Sequence, residues 1–213
     1  MNVLVTAGPT REPLDPVRYL TNRSSGKMGY ALAEAGARSG HQVTLISGPT
    51  SLEAPVKVNC IPVETAREMF EATSIHIDRA DVAIFAAAVA DYRPASLAEN
   101  KIKKSEEHLA LALVRNPDIL GSARSEFGFE GVLVGFAAET EALEENARRK
   151  LTDKGCDLVV ANLVAQPGIG FDSDHNEVLL VYPDRSEALP LETKVHLAHL
   201  IIQAVEEAHN RRG

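Results

Sequence analysis

Cysteine is scarce in this chain, basic charge is in deficit, and no apolar run is long enough to cross a bilayer. The two cysteines, Cys60 and Cys156, are far apart and show neither a CxxC nor zinc-site spacing, which argues against a disulfide framework or structural metal. They read as small buried thiols. With 22 Lys and Arg against 30 Asp and Glu, the formal net charge is -8, the wrong sign for general nucleic-acid binding. An anionic ligand would need a local cluster of cations, and Arg18, Arg23 and Lys27, with the run "KIKK" from Lys101 to Lys104, are the candidates. The opening "MNVLVTAGPT" lacks the basic head and cleavage site of a secretory leader, so the expectation is a cytoplasmic protein with no membrane partner.

Familiar catalytic signatures are missing as well. The stretch "YLTNRSSGKMGYALAEAG" looks like half of a phosphate-binding loop, but Thr21 stands where a Walker loop needs glycine and Met28 follows the Gly26-Lys27 pair. No G-x-G-x-x-G follows the first strand, and the second strand ends in Ser47-Gly48 rather than an acidic residue for a ribose, which disfavours NAD. None of the four tyrosines has a lysine four positions on, as a short-chain oxidoreductase would require. There is no G-x-S-x-G elbow. His196 and His199 have metal-compatible spacing but no evident third ligand.

What is present is a regular alternation. "NVLVTAG" reads as a buried strand, and Met28, Ala31, Leu32 and Ala35 mark a helical stripe that "QVTLISGP" follows as a second strand. "VKVNCIPV", "DVAIFAAAVA", "LALALVR", "GVLVGFAAE", "CDLVVANL" and "EVLLVYP" continue the strands. Helices fall between them: one from Thr65 with Glu68 as a capping box, one at "NPDILGSARSEF" with Asn116 as cap and Pro117 in the first turn, and "EALEENARRKLTDKG" stopped by Gly155. Leu197, Leu200, Ile201, Ala204 and Ala208 mark a terminal helix. The fold expected is α/β, a mostly parallel twisted sheet with helices on both faces, in a single domain over residues 1–213.

In such a sheet ligands sit beyond the carboxyl ends of the strands. "TAGPT", "AAAVADYRP", "GFAAET" and "ANLVAQ" all fall there. Ser24, Ser25 and Gly26 stand where a helix begins, so free backbone N–H groups and the helix dipole can face an anion; a plain serine cap is the other reading. Small residues from Phe85 to Ala90 leave room for a flat ligand, Asp91 can accept from sugar hydroxyls, and the lysines fall on an expected mobile loop from which one can close over a triphosphate as a point charge, a solvated basic run being the other reading.

With those residues assembled, the chain closely resembles the phosphopantothenate–cysteine ligase family, the second activity of the bifunctional bacterial coenzyme A biosynthesis flavoprotein. The matching motifs are "TAGPTREPLDPVRYLTNRSSGKMG", "AAAVADYRP" with "KIKK", "NPDIL", "VGFAAET", "ANLV", "GFDSDHNEV" and "LPLETK", in family order over nearly the whole chain. The family's flavin-dependent decarboxylase half is not represented. The resemblance implies a Rossmann-like fold, a homodimer, and CTP and Mg²⁺ as co-substrate and cofactor. It also implies a reaction in which 4′-phosphopantothenate is activated as an acyl-cytidylate and then joined to L-cysteine. By motif match Lys101 stabilises the transferring α-phosphate, and Asn22 serves the acyl-cytidylate and its conversion. The same match puts Gly8, Ser24, Ser25 and Gly26 at the nucleotide phosphates, Phe85, Ala86 and Ala87 beside the base, and Asp91 at the sugar. Pro117, Asp118, Ile119, Leu120 and Phe136 would frame the pocket, with Lys150 and Lys154 nearby and Arg18 at the phosphate of phosphopantothenate. A short-chain oxidoreductase and a non-catalytic nucleotide-binding module are the alternatives, and nucleotide consumption separates the last from the ligase.

Overall fold

The structure, a computed structural model, describes residues 1–103, 108–163 and 173–212; Lys104 of the "KIKK" run, Val164 of "ANLV", and the first three residues of "GFDSDHNEV" lie outside them. Side-chain alternation decides the layering. In β1 (Asn2–Ala7), Val3, Val5 and Ala7 enter one core and Leu4 the other, as a two-residue pleat requires of a strand covered on both faces.

Beside it, in parallel, lie β4 (Gln42–Ser47) and then β5 (Val58–Pro62) on one side, and β6 (Val82–Phe85), β9 (Val132–Glu139) and β10 (Leu158–Leu163) on the other. The antiparallel strands β11 (His175–Val181) and β12 (Ser186–Thr193) complete a sheet of order β12-β11-β10-β9-β6-β1-β4-β5. The parallel part has the doubly wound order, with its reversal between β1 and β6. Two small ribbons, β2 (Arg11–Pro13) with β3 (Tyr19–Thr21) and β7 (Tyr92–Pro94) with β8 (Leu113–Arg115), stand outside the sheet. No described helix is long and apolar enough to cross a membrane.

Helices α1 (Lys27–Arg38) and α5 (Lys194–Asn210) cover one face, where Leu32 and Ala35 meet Ile201 and Ile202. On the other face, α2 (Ala66–His76), α3 (Ile119–Ser125) and α4 (Leu143–Lys154) contribute Met69, Ile119, Ala123, Ala147 and Leu151. Each fully buried leucine, such as Leu32, contributes about 2 kcal/mol. Thr65 and Glu68 form the capping box that starts α2. Buried Glu12 adds a bond from the β2 ribbon, accepting from the Ala66 N–H at 2.9 Å.

Three expectations need correction. Only Leu113–Arg115 of "LALALVR" is a strand, and it pairs with β7 outside the sheet, because all three of its residues are exposed and none carries core burial. The cap of α3 is Asp118, not Asn116: its Oδ1 accepts from the Gly121 N–H at 2.9 Å, so Pro117 precedes the helix. Asn116 instead donates from Nδ2 to the Ala90 carbonyl at 2.8 Å. Strand β12 was not expected, since it carries Pro190 and buries only Leu189; a proline is tolerated on this outermost strand.

Candidate functional site

The site grows out of the reversal between β1 and β6. Past Ala7 the chain turns through Gly8 at φ 74°, and its next residues run beside 86–90. The Ala88 N–H donates to the Gly8 carbonyl at 2.9 Å, and the Ala90 N–H to the hydroxyl of buried Thr10 at 3.0 Å. Asn22 crosses over this seam and donates from Nδ2 to the Val89 carbonyl at 3.0 Å. The backbone of "AAAVAD" is thereby held as a rigid floor, with small side chains leaving its surface open.

Glycines bring α1 onto that floor. Gly26 is its N-cap at φ 77°, with no side-chain cap bond, and its own N–H is held by the Ser24 hydroxyl at 3.3 Å. A side chain at Gly29 would lie 2.4 Å from the Ala7 Cβ. Its absence lets the helix start press against the end of β1.

Two cavities open here. One, about 510 Å³, lies between β6, α3 and the end of α4, lined by Phe85, Ala87, Asp91, Pro117 to Leu120, Phe136, Lys150 and Lys154. The other, about 440 Å³, faces the start of α1 and takes in Asn22, Ser24, Ser25, Gly26 and Ala86. Ala87, Val89, Asp91, Phe136 and Lys150 belong to both, so the two are lobes of one crevice.

The charges are set by neighbours. Lys150 donates to the Phe136 carbonyl at 2.8 Å; its burial, only partly offset by Glu139, lowers its pKa from the usual lysine value. Burial pushes the Asp118 carboxyl up, but the ion pair with Lys154, the Gly121 N–H and the field of Lys150 outweigh it and leave the group below its ordinary range. Glu144, in the first turn of α4, pairs with Arg148 at 2.8 Å. Burial, with Asp157 adding to it, pushes the Cys156 thiol up to about 12, and burial raises that of the half-buried Cys60, the opposite of the shift that activates a thiol.

Three of the expected residues stand apart. Gly8 shapes the turn without lining either cavity. Lys101 is exposed and lines neither. Arg18 lies against Asp15 at 2.6 Å, and this guanidinium, with backbone N–H groups, holds the Asp15 carboxyl well below the usual carboxylate range.

Residues 1–208 match the family profile described as the DNA/pantothenate metabolism flavoprotein C-terminal domain. The chain belongs to that family. It is 48% identical over 207 residues to the coenzyme A biosynthesis bifunctional protein CoaBC of Vibrio vulnificus, covering 96% of this chain and 52% of that protein. It thus spans about half the length of the curated relatives it matches. A crystal structure of the C-terminal domain of a CoaBC protein is 41% identical, with a TM-score of 0.82 over 97% of this chain and 94% of that one. A Cab2 variant in complex with phosphopantothenate-cysteine shares the fold at 19% identity and a TM-score of 0.79, over 99% of this chain and 86% of that one.

This flavoprotein C-terminal domain also places residues in the crevice that were not picked out one by one. Asn162 of β10, Asn176 of β11 and Lys194 of α5 form the far wall of the second lobe, with Asn176 and Lys194 buried. Arg23 and Lys27, both named from the sequence as cations for an anionic ligand, lie there too, Lys27 paired with Asp174 at 2.7 Å. The motifs "ANLV", "GFDSDHNEV" and "LPLETK" contained three of them, and that was the available signal.

Proposed function

We propose that this domain is a CTP-dependent phosphopantothenate–cysteine ligase. The observation that carries the reading is a single crevice with two lobes. One has a flat floor of small residues, two lysines and Asp91, suited to a nucleotide. The other is fronted by the uncapped start of α1 and walled by amides and lysine, suited to an acyl phosphate ester. The membership in a pantothenate-metabolism family supports it, as does the phosphopantothenate-cysteine held by the same fold in the Cab2 variant.

In the first step a carboxylate oxygen of 4′-phosphopantothenate attacks the α-phosphorus of CTP, and the bond to the β-phosphate oxygen breaks with release of pyrophosphate. In the second, the amine of cysteine attacks the acyl carbon, CMP leaves with the oxygen, and the nitrogen gives up its proton. Both first-step reactants are anions, so cations and fixed placement supply much of the acceleration. The N-terminal turn of α1, with Ser24 and Ser25, receives phosphate oxygens; Lys150 and Lys154 offset charge at the nucleotide; Lys101 acts on the transferring α-phosphate, and Arg18 takes the phosphate of phosphopantothenate. Mg²⁺ would be held by the phosphates of CTP and would offset their charge, while Asp91, which both lobes share, accepts from the sugar hydroxyls. Among the described residues no group of three or more His, Cys, Asp or Glu gathers to hold a cation by itself. Metal held chiefly by substrate phosphates is the usual arrangement for Mg²⁺.

A homodimer is part of this reading. Val17, Tyr19, Tyr92 and Leu113 are exposed on and beside the two ribbons, and β2 and β7 pack together, placing apolar side chains beside the Lys101 loop that a second copy would cover. Sedimentation would read a dimer, and charged residues at Tyr92 and Leu113 would give a monomer.

The deciding experiment incubates the protein with phosphopantothenate and each nucleoside triphosphate in turn, with Mg²⁺. Pyrophosphate release with CTP, a mass corresponding to an acyl-cytidylate, and its disappearance on adding cysteine are the expected results. CTP bound but left intact would instead support the binding-module reading.

A further inference from the structure

The turn at 14–18 and the loop carrying Lys101 are tied together by hydrogen bonds that neither lobe of the crevice requires. Asp15 is buried, with no side-chain exposure, and its two oxygens have different tasks. Oδ1 accepts from the backbone N–H groups of Val17 and Arg18, both at 2.9 Å, and so shapes its own turn. Oδ2 accepts from Arg18 Nε at 3.0 Å and Nη2 at 2.6 Å, and from the Ile102 N–H at 3.0 Å. Arg18 Nη2 donates in addition to the Ile102 carbonyl at 2.9 Å. A further bond, from the Ala98 N–H to the Leu14 carbonyl at 3.0 Å, fastens the loop a turn earlier.

Ile102 therefore has its N–H held by one member of an ion pair and its carbonyl by the other, and Lys101 is the residue immediately before it. A buried carboxylate is costly unless its lone pairs are satisfied, and here part of that satisfaction comes from a loop more than eighty residues away in sequence. With Ile102 held on both backbone groups, the side chain of its neighbour Lys101 starts from a defined point.

The geometry points to Asp15 as a positioning residue. It yokes Arg18 and the Lys101 loop into one unit, so that the two cations serving the two anionic reactants are delivered at a set spacing. This rests on the ligase reading, in which Lys101 acts at the α-phosphate and Arg18 at the other substrate's phosphate. Asp15 itself touches neither reactant.

Asp15→Asn separates the two tasks, because its carbonyl oxygen can still serve the Val17 and Arg18 N–H groups while its NH₂ cannot accept from Ile102 or Arg18. Amide exchange of the segment 98–103 should rise while that of β1 and α1 stays unchanged. The kcat for pyrophosphate release should fall about tenfold or more, with the KM for CTP little altered. Ile102→Pro removes the donor from the loop side and should reproduce both effects, which keeps the test open if the Asn variant does not fold. Wild-type exchange and turnover in the variants would overturn the inference, as would a loss of turnover matched by an equal loss of CTP affinity. If the wild-type protein releases no pyrophosphate with any nucleotide, the ligase reading falls, and the exchange measurement alone decides whether Asp15 anchors the loop.

Discussion

Lys154, in the last turn of α4, forms an ion pair with Asp118, the residue that caps α3, across the mouth of the first lobe. One carboxylate thus starts a helix, holds a cation at the mouth and locks α3 to α4. Gly121 makes this possible: a side chain there would meet Asp118 Oδ2 at 2.5 Å.

The two tasks of Asp118 separate by substitution. Asp118→Ala loses the bond to the Gly121 N–H as well as the ion pair and should cost about 1 kcal/mol or slightly more, the usual loss for a helix cap. Asp118→Asn keeps an acceptor for Gly121 and should recover most of that. Urea unfolding of both variants is the measurement, and equal destabilisation would contradict the cap assignment.

On the proposed reading, Lys150 makes nucleotide binding depend on pH. Its pKa is lowered chiefly by burial, with Lys154 acting in the same direction and Glu139, Cys156 and Asp118 opposing. An anion binds the protonated form more tightly, so CTP affinity is full below the pKa of Lys150 in the free protein and declines as pH rises through it. That point lies under the ordinary lysine range. Calorimetry in buffers of different ionisation heats should register net proton uptake on binding in the alkaline region. In Lys150→Arg the decline should move beyond the accessible range.

The parallel sheet was legible because its signals are local. β1 and β6 are continuous apolar runs, and Thr65 and Glu68 stand three apart on one turn. What failed was decided by tertiary partners. Asn116 looked like a cap, but the Ala90 carbonyl claims its amide, and Asp118, two residues on, has Gly121 to close against. β12 shows almost no alternation because it needs to bury so little at the sheet's edge. In the site, the residues on "AAAVAD" and "NPDIL" could be found from strand ends. Asn162, Asn176 and Lys194 meet only because β11 turns back antiparallel beside β10 and α5 returns to the face of α1. The partners of Arg18 and Ile102 are likewise set by the path of two loops, which no spacing in the chain encodes.

Gly29 tests whether the site depends on how closely α1 approaches β1. The Cβ of Gly29→Ala would lie 2.4 Å from that of Ala7 and 3.1 Å from its Cα, so strand or helix must shift. Overpacking of this kind costs about 1–3 kcal/mol. Since α1 carries the N–H groups proposed to receive phosphate, CTP binding should weaken by more than the loss of stability accounts for at a temperature where the variant stays folded. Thermal unfolding with and without CTP measures both, and an unchanged ligand-induced shift would separate the helix start from the nucleotide.

Asn22 bridges the second lobe and the floor, and its replacement tests the order of the two chemical steps. The side-chain NH₂ donates to the Val89 carbonyl at 3.0 Å and approaches the Ala88 carbonyl at 3.4 Å. Asn22→Asp keeps the shape but sets a charged oxygen against both carbonyls, so the side chain must turn away and its donor is lost. Attack on the α-phosphate is proposed to depend on Lys101 and the nucleotide lobe, and pyrophosphate release should persist. In the proposed reaction, transfer to cysteine passes through a negatively charged acyl oxygen that Asn22 is proposed to meet, and loss of one donor to such an oxygen slows a reaction about 10²-fold or more. A rapid-quench time course should then show acyl-cytidylate accumulating while phosphopantothenoylcysteine forms slowly. Parallel slowing of both steps would place Asn22 in the first, and wild-type product formation would remove it from the chemistry.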